Sequence, residues 1–186
     1  MVRPTVSKID AIEKQLAAAI YLLLRDFPPV AIHTLIGAAR GLLYGLHKNS
    51  ENRLLKTWDQ RIIDRIVPGN EKEWRKYQNK VANFLKHADR DATELLTGVD
   101  IEGLNEIELT LCVTAFWYVK QPLPQRLMVG LLYCNARNRG WLDLRQMILE
   151  AGMPVTNFDE FEAMSDGERK RTSLDAFEIL IQRGIE

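Results

Sequence analysis

Cysteine is scarce: Cys112 and Cys134 are the only two in 186 residues, and neither belongs to a C-x-x-C pair. That argues against a disulfide framework. Both sit in apolar stretches and read as buried free thiols, which suits a reducing cytoplasm. Long hydrophobic runs are missing too. The longest, Leu109 to Val119, is broken by Thr110 and Thr114 and falls short of the roughly 18 residues that cross a bilayer. No basic segment followed by an apolar run opens the chain, so neither a signal peptide nor a membrane anchor is expected. There is no G-x-G-x-x-G turn, no Walker A loop and no G-x-S-x-G elbow, which removes the commonest nucleotide and hydrolase signatures. Net charge is zero, so the chain as a whole is not built to bind a polyanion, and nucleic acid is not the expected partner.

What is present is ordinary for a globular protein, with 46% apolar and 27% charged residues. The length fits one domain with its own core. Charge is uneven along it. Residues 1–93 hold 16 Lys/Arg against 10 Asp/Glu, and residues 94–186 hold 9 against 15. Such a division reads as solvated surface or complementary packing between halves before it reads as a nucleic-acid face.

Helical periodicity runs through the sequence and no apolar–polar alternation of strand type appears. A first helix is expected from about Lys8 to Arg25, with Ser7 as N-cap and an apolar stripe through Ile9, Ile12, Leu16, Ala19, Ile20 and Leu23. Pro28-Pro29 opens a second, over about 29–48, with Ile32, Leu35, Ile36, Ala39, Leu42, Leu43 and Leu46 on one side. Opposite them lie Ala31, Thr34, Gly37, Ala38, Gly41 and Gly45, all small. This pattern predicts a helix gripped from both sides. Further helices are expected over about 51–67, from Asn70 to the region of Ala88, 104–120, 124–137 and 141–151, with 92–103 a loop and 155–165 a linker. Thr172-Ser173-Leu174-Asp175 reads as the start of a last helix ending at Gly184. The expected fold is all-α: a single bundle-like domain of about seven to eight helices, in residues 1–152, followed over 153–186 by a linker and a C-terminal helix that packs on the same or a partner subunit.

Between the two faces of the second helix run His33, Arg40 and His47, seven residues apart. Successive members drift only about 20° around the axis, so all three project from one edge. An arginine on a mostly buried helix needs an acceptor. The plain reading is an acidic partner from another helix; the sharper one is a polar groove for a small anionic ligand. Arg40 and His47, separated by six residues, resemble the arginine–histidine pair of HEPN-type ribonucleases, which are all-helical. That resemblance implies an arginine stabilising phosphate and a histidine in acid–base chemistry on RNA, without metal. Gly41 departs from the family, which has a polar residue after the arginine, and the pair lies on the second helix and not near the end of the domain.

The densest run of reactive side chains is Asn83-Phe84-Leu85-Lys86-His87-Ala88-Asp89-Arg90-Asp91. As a helix exit it makes sense: Lys86 and His87 favour the negative end of the helix dipole, and Asp89 and Asp91 hydrogen-bond the following turn. As a metal site it would use His87, Asp89 and Asp91, whose alternate spacing converges only if the backbone turns sharply and His33 or His47 completes the set. A metal-dependent hydrolase on His33, His87, Asp89 and Asp91 follows from that geometry. No cofactor is expected otherwise. The same run, with Ala31-Ile32-His33-Thr34-Leu35 upstream, resembles a family of uncharacterised bacterial proteins with an N-F-x-K-H-A-D-R-D signature and an A-I-H-x-L element, over about residues 8–145. The resemblance implies an all-helical cytoplasmic protein. It marks His33, Asn83, Lys86, His87, Asp89, Arg90 and Asp91 as defining positions and assigns them no roles. The candidate site therefore lies between the second helix and the end of the fourth. The leading expectation is a non-enzymatic binding or interaction protein, with a homodimer through the C-terminal helix compatible with it.

Overall fold

The computed structural model describes residues 5–48, 71–86, 93, 95–137 and 158–185. These residues form seven α-helices and no strand: α1 (Lys8–Leu24), α2 (Pro29–Lys48), α3 (Glu71–Lys86), α4 (Ile101–Val119), α5 (Gln125–Arg137), α6 (Phe158–Ala163) and α7 (Asp166–Gln182). The fold is all-α and bundle-like. The helices expected over 51–67 and 141–151 lie outside the described residues.

Local chemistry accounts for the helix ends. Ser7 caps α1 in a reciprocal box: its hydroxyl accepts from Asp10 N at 3.0 Å, and Asp10 Oδ2 accepts from Ser7 N at 3.1 Å. Asp26, at φ 55°, turns the chain in the left-handed region that Asp tolerates, and α2 begins three residues later at Pro29. Asp100 caps α4 by accepting from Gly103 N at 3.0 Å. A Cβ on Gly103 would stand 2.5 Å from Asp100 Oδ2, so glycine lets this cap close. Helix α4 thus starts three residues earlier than expected, and 101–103 are helix, not loop.

The core is built by α1, α2, α4 and α5. Ile12, Leu16, Ala19 and Ile20 of α1, Ile36, Ala39 and Leu43 of α2, Cys112, Val113 and Phe116 of α4, and Leu127, Leu131 and Cys134 of α5 are all at or within 1% of complete burial. Both cysteines are buried and neither forms a disulfide. Helices α1 and α5 approach closely at Gly130, where a Cβ would meet the Ile20 side chain at 2.5 Å. Helix α4 is buried on nearly every side, and none of the described helices is long and apolar enough to cross a membrane.

The C-terminal helix α7 packs on α5 and α1 of its own chain. Phe177 is 2% exposed, with its ring centroid 5.8 Å from that of Tyr21. Arg25 pairs with Glu178 and Asp26 with Lys170. Two sequence expectations are corrected here. The helix begins at Asp166, not near residue 172, because Ser165 and Glu168 form a capping box that starts it earlier. The span 155–165 is not all linker, since α6 occupies 158–163.

Among the described residues, only the large-residue side of α2 is packed. Its Ile32, Ile36, Ala39 and Leu43 side is buried, whereas Ala31, Thr34, Ala38, Gly41 and Gly45 are exposed. Small side chains offer little apolar area to bury, so the large-residue side dictates packing. No described atom lies within 4 Å of where a Cβ would stand on Gly37 or Gly41.

Candidate functional site

The polar edge of α2 faces α4. His33 is 2% exposed and His47 3%. Asn105 of α4 is completely buried and bridges two parts of α2: its Nδ2 donates to Pro29 O at 2.8 Å, and its Oδ1 lies 2.9 Å from His33 Nδ1. A carbonyl only accepts, so the amide nitrogen must face Pro29 and the amide oxygen must face His33. His33 Nδ1 therefore carries the hydrogen and donates to Asn105. In the neutral ring Nε2 keeps its lone pair, and among the described residues this buried atom has no hydrogen-bond partner.

One turn along α4 comes Glu108, with no exposed surface. Arg40 Nη1 donates to its Oε1 at 2.6 Å. The Arg40 side chain retains 19% of its exposure, so the pair runs from the rim of the helix interface into its floor. Residue 33 meets 105 and residue 40 meets 108, so α2 and α4 advance in the same direction along this contact. Burial pushes the Glu108 carboxyl above the usual carboxylate range; Arg40, His33 and the Gln78 amide of α3 pull the other way. Glu108 Oε2 is buried, and a hydrogen bond from the Gln78 side chain is among the influences on this carboxyl. Cys112, one further turn along α4, is pushed well up by burial and by the Glu108 charge. Such a thiol stays protonated and is a poor nucleophile.

Helix α3 is fastened nearby through the segment before α4. Tyr77 Oη accepts from Asp100 N at 2.7 Å, and Lys80 Nζ donates to Thr97 O at 2.9 Å. This holds Val81, fully buried, and Gln78, 8% exposed, against the bundle.

On another side of α4, Glu106 pairs with Arg137 of α5, whose guanidinium also reaches Tyr133 Oη at 3.5 Å. Burial, reinforced by the Glu106 charge, pushes the neighbouring Cys134 thiol well up. A third pair, Lys120 Nζ to Glu13 Oε2 at 2.6 Å, ties the far end of α4 to α1. Of these cross-helix pairs, Arg25–Glu178 and Arg40–Glu108 join the basic half to the acidic half, while Lys120–Glu13 and Lys170–Asp26 run the other way.

Of the nine sequence candidates, His33, Arg40 and His47 fall on one buried edge of α2. Asn83 is exposed on α3, and Lys86 is its last residue. His87, Asp89, Arg90 and Asp91 lie outside the described residues, and so does their expected meeting with His33. Among the described residues no group of three or more His, Cys, Asp or Glu side chains is placed to hold a metal. Sequence reasoning missed Asn105, Glu108 and Gln78. The first two recur with Cys112 at i, i+3 and i+7, one face of a helix that is buried on nearly every side. A carboxylate on such a helix must find a cation, and that was the available signal.

Compared with known protein families, curated proteins and solved structures, the chain matches none.

Proposed function

We propose that this chain is a helical binding or interaction protein in which the polar edge of α2 holds the structure together and performs no chemistry. The observation that supports this reading is the pairing of Arg40 with the fully buried Glu108 at 2.6 Å. The one arginine on that edge is committed to a carboxylate. A phosphate arriving at Arg40 would meet the negative charge of Glu108 directly behind it, which weakens the attraction. A small anion at the outer N–H groups of Arg40 is the binding arm of the reading, supported by the 19% of its side chain that stays accessible.

A HEPN-like ribonuclease on Arg40 and His47 is the alternative. It requires Arg40 to turn to RNA and His47, 3% exposed, to exchange protons with it. A metal-dependent hydrolase on His33, His87, Asp89 and Asp91 requires those four side chains to converge. A cytoplasmic location belongs to the proposal and rests on two buried cysteines that form no disulfide. So does a homodimer through the C-terminal helix, supported by Ile179 and Ile181, each 45% exposed on α7.

The test combines activity with binding. Purified chain is incubated with RNA in EDTA, and separately titrated with inorganic phosphate and divalent cations while unfolding is followed. The proposal expects intact RNA and no shift with divalent cations; a shift with phosphate would place the anion at Arg40. RNA cleavage that disappears in a folded Arg40→Ala variant would overturn it in favour of the ribonuclease. Turnover lost in His87→Ala would overturn it in favour of the hydrolase.

A further inference from the structure

The excess of cations in residues 1–93 includes a set gathered on one helix face. Helix α3 exposes Lys72, Arg75, Lys76 and Lys80 together with Asn79 and Asn83. At 100° per residue these six positions span about 140° of the helix. No carboxylate interrupts them, and Glu73 stands at the margin in the first turn. The other side of α3 faces inward. Val81 is fully buried there, and Trp74 and Tyr77 stack half-buried with ring centroids 6.2 Å apart. The contacts of Tyr77 with Asp100 and of Lys80 with Thr97 fix the helix in place. We propose that the outer face of α3 docks in the major groove of duplex DNA, its cations on phosphates and its two amides on base edges. The inference rests on reading the chain as a binding protein that performs no chemistry.

The arrangement of side chains around the face carries the argument. Asn79 and Asn83 are one turn apart and lie within about 30° of the centre line of the face. Their separation along the axis is about 6 Å, close to two base-pair steps of about 3.4 Å. An asparagine amide both donates and accepts, which matches the paired groups on an adenine edge. Arg75 and Lys80 stand at the two flanks, where the groove walls present phosphates. Lys80 gives one N–H to Thr97 O and has two more to give. Lys72 and Lys76 extend the face toward the start of α3, the end at which the helix dipole also favours an anion. A helix about 10–12 Å across fits a groove about 12 Å wide. An anionic membrane would call for apolar side chains exposed beside the cations, and the apolar residues of α3 are all buried or half-buried. An acidic protein would satisfy the lysines but offers the central amides no regular edge to read. Zero net charge describes the whole chain; the carboxylates that balance this face collect in residues 94–186, which hold 15 against 9 cations.

The experiment is fluorescence anisotropy of the full chain with labelled duplex DNA of about 20 base pairs, from about 50 to 200 mM salt. Binding is expected, with log affinity falling against log salt at a slope of about −3, as for three or four phosphates. Lys72→Gln with Lys76→Gln should make the slope shallower by about 2. Asn79→Ala with Asn83→Ala should weaken binding at least about fivefold at an unchanged slope. All four residues are exposed, and thermal melts confirm that the variants fold. No binding at the lowest salt, a slope that the lysine variant leaves unmoved, or an affinity that the asparagine variant leaves unmoved would overturn the docking. Equal affinity for poly-glutamate or for phosphatidylserine vesicles would overturn it as well. The state of the DNA separates this inference from the reading beneath it: degraded duplex contradicts a protein without chemistry, whereas duplex left intact and unbound contradicts the docking alone.

Discussion

Arg40 of α2 reaches Glu108 of α4 at 2.6 Å across the helix interface, and the carboxylate it reaches has no exposed surface. The pair therefore couples two helices that are far apart in sequence and makes each residue costly to remove alone. It also accounts for a guanidinium on the edge of a buried helix without any ligand.

Asn105 is the second fastening on the same contact. In Asn105→Ala the Pro29 carbonyl loses its donor and His33 Nδ1 loses its acceptor. Each group left unmet should cost about 1–3 kcal/mol. Urea denaturation should show a lower midpoint with an unchanged slope.

Two glycine-to-alanine changes should have opposite signs. At Gly130 the new Cβ would stand 2.5 Å from Ile20, between packed helices. A loss of about 1–3 kcal/mol is expected from overpacking. At Gly41, exposed within α2, no described atom lies within 4 Å. There alanine should stabilise by about 0.5–1 kcal/mol through helix propensity alone. Thermal melts of the two variants check both. Destabilisation by Gly41→Ala would mean that this face of α2 is covered.

The helix caps and Glu108 should respond to pH in opposite directions. Hydrogen bonds from Ser7 hold Asp10 below its ordinary range, and those from Ser165 do the same for Glu168. Their contribution is present above the ordinary carboxylate range and is lost as pH falls through the lowered values. Burial raises Glu108, so its protonation favours the folded state, and that contribution is lost as pH rises through the raised value. Melting midpoints measured from about pH 3 to 7 should fall less steeply in acid for Asp10→Asn than for wild type. Glu108→Gln should decline less than wild type as pH rises.

The outer shape of this molecule was readable from residue pattern because its signals are local. Ser7 and Asp10 announce α1, and Pro28-Pro29 announces α2, since capping and proline geometry depend on near neighbours. The start of α7 was displaced because Thr172-Ser173 imitates a cap within a helix already begun at Ser165-x-x-Glu168. The packing of α2 was legible only in part, for a different reason. Two faces of distinct size look equally buriable on a helical wheel, and only tertiary contact chooses between them. The partner of Arg40 was expected in kind but not in identity. Glu108 lies 68 positions away, and no spacing rule reaches that far.

Loss of the Phe177 side chain should loosen α7 from the bundle. Phe177 is 2% exposed against Tyr21 of α1, and truncation to alanine should cost about 3–5 kcal/mol. Limited proteolysis should then cut within residues 158–185 sooner than in wild type.

The most direct test of the account is a double-mutant cycle on Arg40→Met and Glu108→Leu, read by urea unfolding. Arg40→Met alone leaves a buried carboxylate without its cation and should cost about 3–5 kcal/mol. The double variant, with two apolar side chains facing each other, should recover most of that loss. If Arg40→Met is as stable as wild type and the two changes simply add, the pair does not hold α2 to α4. Arg40 would then be free for a ligand or for RNA.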